Sequence, residues 1–587
     1  MTASHSAAWK GNLEICQLVS KDATVDALDS DNKIALHSAA WKGNLEICQL
    51  LVSKAATVDA LDSDNKTASH SAAWKGNLEI CQLLVSKGAT VDALDLDNMT
   101  ALHSAALKGN LEICQLLVSK GATIDVLDFD NMTASHSAAW KGNLEICQLL
   151  VSKGATVDAL DSDNMTASHS AACKGNSEIC QLLVSKVATV DALDSDNKIA
   201  LHSAAWKGNL EICQLLVSKG ATVDALDSDN MTASHSAAWV GNLEICQLLV
   251  SKDATADALD SDNKIALHSA AWKGNLEICQ LLVSKGATVD ALDSDNMTAL
   301  YSAAWKGNLE IFQLLVSKGA TVDALDSDNM TALQSSAWKS NLEICQLLVS
   351  KGATVDALDS DNMTALHSAA WKGNLEICQL LVSKGATVDA LDSDNCTALH
   401  FAASKGNLEI CQLLVSKGAT VDALDSDNMI ALHSAAWKGN LEICQLLISK
   451  GTTIDPYTAS WKGNLEICQL LVSKGSTVDA LDLDNMAALH SAAWKGNLEI
   501  CQLLVSKGAT VDALDLDNMT ALHSAAWKGN LEICQLLVSK GATVVALDLD
   551  NMTALHSTAW KGNLEICQLL VSKVATIDVL DLDNKTA

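Results

Sequence analysis

The chain has 587 residues and a formal net charge of −31, with 40 lysines, no arginine and a single proline. Such an acidic surface repels a phosphate backbone and lacks the usual bidentate base reader, which argues against nucleic acid as a partner. No stretch of about 18 apolar residues is present to span a membrane, and no charged N-terminal segment leads into an apolar one, so neither insertion nor secretion is expected.

From its first residues the chain repeats itself. Met1-Thr2-Ala3 is in phase with Met363-Thr364-Ala365, and the full tract from Asp359 to Leu391, DSDNMTALHSAAWKGNLEICQLLVSKGATVDAL, recurs almost unchanged with a period of 33 residues. That period, with one turn-rich part and two helix-like parts, predicts a solenoid whose units bury their apolar faces only by stacking. Within the unit, Thr364 is a helix N-cap candidate ahead of an apolar turn, and small Ala369 and Ala370 allow close helix approach. Gly373 is free to take positive φ and end the first helix, Asn374 can cap the second, and Gly385 closes it. Leu375, Ile377, Cys378, Leu380, Leu381 and Val382 leave few polar positions, which suits a helix packed between neighbours. Val388 to Asn395, rich in Asp, reads as a projecting β-turn finger.

The segments TALHSAA, GN, LLVSKGA and VDAL resemble the ankyrin repeat, with Ala365, Asn362 and Asn374 standing where that family usually has Pro, Gly and His. Counted by the position that Trp usually fills, the resemblance covers 18 units, essentially the whole chain. It implies an elongated, curved all-α repeat solenoid of helix-turn-helix units with β-turn fingers, in which Thr364 and His367 brace the turn. It also implies a concave face made by the first helices and finger tips. The Trp column and the Lys after it would lie there, with Met363 and Leu391 near the finger tip and root. The expected partner-binding residues are Trp206, Trp239, Trp272, Trp305, Trp338, Trp371, Lys207, Lys273, Met231, Met297, Met330 and Met363. A competing reading has each Trp folded onto the next finger, only filling space. Stacked Asp389, Asp392 and Asp394 would form an acidic ridge able to steer basic partners, or only a solvated surface that keeps a long array soluble.

Departures from the repeat follow in chain order. Ser4, Ser69, Ser135, Ser168 and Ser234 replace the core Leu seen at Leu366, a loss that typically costs about 2 to 5 kcal/mol. Ile34, Ile199, Ile265 and Ile430 replace the capping Thr, at about 1 kcal/mol each. Tyr301, Phe312, Gln334, Ser336 and Ser340 deviate within two adjacent units, and Ser340 stands where the first helix needs its terminal Gly. At Pro456 the spacing from Trp437 to Trp461 is 24 residues instead of 33, so the finger and the start of a first helix are missing. The expected organisation is a kink or loosened interface there, dividing an N-terminal stack of 14 repeats over 1–455 from a C-terminal stack of four over 456–587, the first truncated and the last ending in a partial finger; the alternative is a continuous stack that tolerates the shortened loop. The chain starts and stops in mid-unit, which reads as a fragment of a larger protein.

Of 19 cysteines, most occupy the Cys378 position, one per unit. Consecutive thiols sit a helix-packing distance apart, too far for disulfides, and read as small buried hydrophobes in a reducing cytoplasmic or nuclear setting. No CxxC or HxxxH spacing suggests a metal, and DSDN lacks the glycine and twelfth-position acid of a calcium loop. No catalytic constellation stands out, because each His, Ser and Cys pattern recurs in nearly every unit whereas an enzyme needs one asymmetric site. These features point to a non-catalytic, cofactor-free scaffold that binds a protein partner along the groove, with a monomer as the default oligomeric state. The alternative is a structural spacer, or an expanded array with no dedicated ligand.

Overall fold

The computed structural model describes residues 3–19, 21, 24–186, 189–481 and 486–573; the expected partial C-terminal finger and Met1-Thr2 lie outside them. A repeat begins where Thr364, in extended backbone, meets a buried imidazole: its N–H donates to His367 Nδ1 (3.0 Å), and its hydroxyl lies 2.9 Å from the same nitrogen. Because Nδ1 accepts, the proton sits on Nε2, which donates to the Ala390 carbonyl of the next finger at 3.0 Å. One side chain thus starts its own helix and ties down the following repeat. The same relay runs from His70 to the Met99 carbonyl (2.9 Å) and from His523 to that of Met552 (3.3 Å).

The first helix, Ala365–Lys372, ends at Gly373 with φ 80°, and the second, Leu375–Ser383, returns antiparallel to it. Ala369 and Ala370 of the first helix and Ile377, Cys378 and Leu381 of the second are buried. First helices pack on one another more closely than second helices do, as their alanines allow. Asn374 does not cap the second helix. Its Nδ2 donates instead to the Ala337 carbonyl of the preceding repeat at 3.1 Å, as Asn77 does to Ala40 at 2.6 Å. Asn12, in the first repeat described, takes the expected role, its Oδ1 accepting from the Ile15 N–H at 3.0 Å. The tie also explains the glycines: a Cβ on Gly373 would lie 2.9 Å from Asn407 Oδ1, so that position needs both its backbone freedom and its lack of a side chain.

Among the described residues there are 36 helices and no strand, with one isolated bridge between Leu481 and Ala487. They form two compact units, residues 1–303 with 313–320, and 304–312 with 321–587. In each, the helices stack in consecutive pairs.

The irregular residues behave in distinct ways. Ser69, Ser135, Ser168 and Ser234 are buried and their hydroxyls find no partner, so these repeats lose the Leu contacts and also bury an unsatisfied polar group. Ile34, Ile199 and Ile265 lose the hydroxyl but keep the backbone bond to Nδ1 (3.2 to 3.3 Å), and their side chains are fully buried, which offsets the missing cap. Ser340 holds the left-handed conformation of its glycine neighbours at φ 69°, a strained place for a side chain. Gln334 reproduces the imidazole relay: Oε1 accepts from the Thr331 N–H at 2.8 Å and Nε2 donates to the Met363 carbonyl at 2.6 Å.

Around Pro456 the deletion removes a finger but not the helix stack. Tyr457–Lys462 forms a six-residue first helix, and Asn464 still donates to the Ala436 carbonyl at 3.0 Å, across 28 residues where intact repeats span 37. His433, with no finger after it, is only partly buried. We propose that the array is loosest here, dividing functionally into 1–455 and 456–587; limited proteolysis is expected to cut first between Gly451 and Tyr457, and first cuts elsewhere would refute the division.

Burial lowers the imidazole pKa below 6.5 at His37, His70, His103, His136, His169, His235, His268, His367, His433 and His523. The unfolded chain therefore takes up protons first, so stability is retained above about pH 6.5 and lost as pH falls below it towards the folded-state values. Urea unfolding followed from pH 8 to 5 should show a level plateau and then a decline beginning near 6.5. Replacing Ser69, Ser135, Ser168 or Ser234 by Leu should stabilise its repeat by about 2 kcal/mol, read as slower amide exchange in that repeat's first helix.

Candidate interaction face

The finger is built by three aspartates with three different tasks. Asp359 Oδ1 accepts from the N–H groups of Asp361 (3.0 Å) and Met363 (2.8 Å), closing a turn in which Asn362 takes φ 56°. Asp356 accepts from the Thr387 N–H (2.9 Å) and hydroxyl (2.6 Å) in the next repeat. Asp361 gives its carbonyl to the Ser393 N–H at 2.8 Å, so that successive finger tips are joined by backbone bonds while its carboxylate stays exposed. The expected acidic ridge is correspondingly thinner. Of Asp389, Asp392 and Asp394, the first is committed to Thr420, the second is buried and only the third faces solvent.

Against these fingers the first helices present the Trp column. In the first unit Trp206 is 47 % exposed and Trp239 39 %, while Trp272 is half-buried; in the second unit Trp305, Trp338 and Trp371 are half-buried. Met231, Met297, Met330 and Met363 are half-buried at their fingers, and Lys207 and Lys273 are exposed. The rings neither stand free nor disappear under the next finger. Four of them are covered on one face by the lysine of the following repeat: Lys273 Nζ lies 4.0 Å from the Trp239 ring centre, Lys339 4.0 Å from Trp305, Lys372 4.1 Å from Trp338 and Lys405 3.6 Å from Trp371. Each pair is a cation–π contact worth about 0.5 to 1 kcal/mol at an exposed site. Lys207 has no ring beneath it, since Cys173 occupies the Trp position before it.

Between helices and fingers lie recurrent clefts. One of about 460 Å³ is lined by Trp206, Trp239, Trp272, Met231, Met297 and Lys264. Another of about 420 Å³ lies against Trp9, Trp41 and Trp74, and a third, in the second unit, of about 430 Å³ against Trp494 and Trp527. Lys264 reaches Asp262 at 3.2 Å and the buried Asp293 at 3.9 Å, so this cation belongs to the wall rather than to a ligand. The histidines at the cleft floor are engaged at both nitrogens, as His235 is with Thr232 and the Lys264 carbonyl, which leaves no free lone pair for proton transfer. Burial pushes the Cys213, Cys246 and Cys279 thiols up to about 12, so they stay protonated and unreactive. Among the described residues, no group of three or more His, Cys, Asp or Glu is placed to hold a metal ion, and no helix is long and apolar enough to cross a membrane.

Two features of the face went unread in the sequence. The lysine cover is one, although a Trp-Lys pair repeated at the array period signals it. The other is a patch in the first unit where Leu96 and Phe129, the latter 74 % exposed, stand at finger tips that carry Ser in most repeats.

The family model described as ankyrin repeats (3 copies) matches residues 4–95, 90–161, 153–227, 234–326, 320–392, 387–458, 457–548 and 511–583. The chain belongs to the ankyrin repeat family. No curated protein matches the sequence. Ankyrin repeats are in general protein–protein interaction modules, and such arrays are typically non-catalytic.

Removing the lysine cover tests its contribution. Lys273→Ala should speed amide exchange in the helices Ala233–Val240 and Ala266–Lys273 about two- to fivefold, corresponding to about 0.5 to 1 kcal/mol; unchanged exchange would show the contact to be energetically silent.

Proposed function

We propose that this ankyrin array is a non-catalytic scaffold that binds a protein partner along the face of first helices and fingers. Trp206, Trp239, Trp272, Met231 and Met297 make the contact surface in the first unit, and Trp305, Trp338, Trp371, Met330 and Met363 in the second, edged by lysines such as Lys207 and Lys273. The observation that carries this reading is the half-exposed Trp and Met lining of the clefts. Large apolar side chains with one open face, rimmed by Lys and Asp, have the composition of an interface centre. A charge of −31 favours basic partners over nucleic acid. The buried protonated thiols suit a reducing cytoplasmic or nuclear setting.

Near-identical clefts along the chain also favour a second reading, a spacer whose uniform surface has no dedicated ligand. Affinity capture separates the two. The natural chain and a variant with Trp206→Ala, Trp239→Ala, Trp272→Ala and Trp305→Ala, matched in helical circular dichroism, are used side by side as baits. A partner held by the first and lost by the second is the expected result; equal or absent capture by both would favour the spacer.

A further inference from the structure

Within the first unit one ring of the Trp column lacks its cover. Trp9, Trp41, Trp74, Trp140 and Trp239 each have the next repeat's ammonium over the ring, at 3.7 to 4.2 Å. After Trp206 the corresponding residue is Val240, and among the described residues no lysine lies over that ring. Val240 is itself exposed, and the Trp206 ring is the most open of the column in this unit. The repeat before it differs as well, since Cys173 stands in the Trp position.

The covered rings act as internal templates. They show that this geometry of helix end and finger holds an ammonium about 4 Å from an indole face, supplied within the chain. At Trp206 the ring remains and the intramolecular cation is gone. The finger carrying Met231, which lines the same cleft, has an exposed carboxylate at Asp229. In the neighbouring fingers Lys198 and Lys264 pair with the equivalent Asp196 and Asp262 at 3.2 Å, whereas Met231 takes the lysine position beside Asp229. The cleft at Trp206 therefore has an uncovered indole face beside a finger that carries an exposed carboxylate, in a chain of strongly negative charge.

We propose that Trp206 is the specific anchor of the groove: it receives a lysine or arginine side chain of the protein partner, in the place that a lysine at position 240 would otherwise fill. This rests on the groove-binding reading and gives the first unit of a nearly uniform array an unlike position at which a partner sets its register. Val240→Lys restores the residue found in other repeats, so it should close the site without disturbing the fold.

The test uses the full chain labelled with ¹⁵N at the Trp indoles, with Trp206 assigned from Trp206→Phe. The probe is N-acetyl-lysine methylamide at constant ionic strength, and N-acetyl-norleucine methylamide is the uncharged control. A saturable shift of the Trp206 signal with the lysine probe alone, absent at Trp239 and weakened at least tenfold by Val240→Lys, is the expected result. Equal movement of Trp206 and Trp239, or an unchanged titration in Val240→Lys, would overturn the proposal. Capture with Val240→Lys as bait separates it from the broader reading. A partner lost with the four-alanine variant but held undiminished by Val240→Lys would leave the groove standing and remove the anchor.

Discussion

Most repeats depend on a neutral imidazole with its proton on Nε2. Through Nδ1 it organises the turn that begins its own first helix, and through Nε2 it holds the next finger, so local and neighbouring structure share one side chain. The Asn374 and Asp356 ties work in parallel, one backward to a helix end and one forward to the next finger. Together they make a unit that is satisfied only between two others, the condition for a solenoid. Gln334 shows what is being selected: not the ring but an acceptor and a donor set at opposite ends of a flat side chain, which an amide also supplies without titrating.

Stability in such an array is distributed unevenly. Repeats with a buried Ser in place of Leu carry an unpaired hydroxyl, Ser340 carries backbone strain, and the segment around Pro456 keeps its helix ties while losing its finger ties. Each of these weakens one interface without breaking the stack, because neighbouring contacts persist. The face that results is chemically monotonous, with Trp, Met and finger carboxylate returning in most intact repeats. Specificity must then come from the exceptions, of which Trp206 and the Leu96–Phe129 patch are the ones with chemistry to offer.

Much of this was legible in the sequence. The period, the two helices, the finger, the Thr364 cap and the role of Gly373 follow from spacing and from which residues tolerate which backbone, whereas the bracing role of His367 came from the resemblance to the ankyrin repeat. Side chains that reach across repeats were harder to read. Asn374 looks like a cap because helix starts favour Asn, and only the geometry shows a nearer carbonyl in the repeat before it. The three finger aspartates are identical letters, and burial, which spacing does not encode, divides them into a turn closer, a tie to the next repeat and a solvated charge. The lysine over the indole was missed for a similar reason: Trp371 and Lys372 are adjacent in sequence, yet the contact joins Trp371 to Lys405, one repeat on.

The most direct measurement is ¹⁵N NMR of the histidine rings in the full chain as pH is lowered. The relay predicts that His70, His103, His136, His268 and His367 show the neutral form protonated at Nε2 and hold it below pH 6.5, with charging accompanied by loss of the folded spectrum. Rings that titrate near 6.5 while the fold persists, or that carry the proton on Nδ1, would contradict the claim that these imidazoles link one repeat to the next.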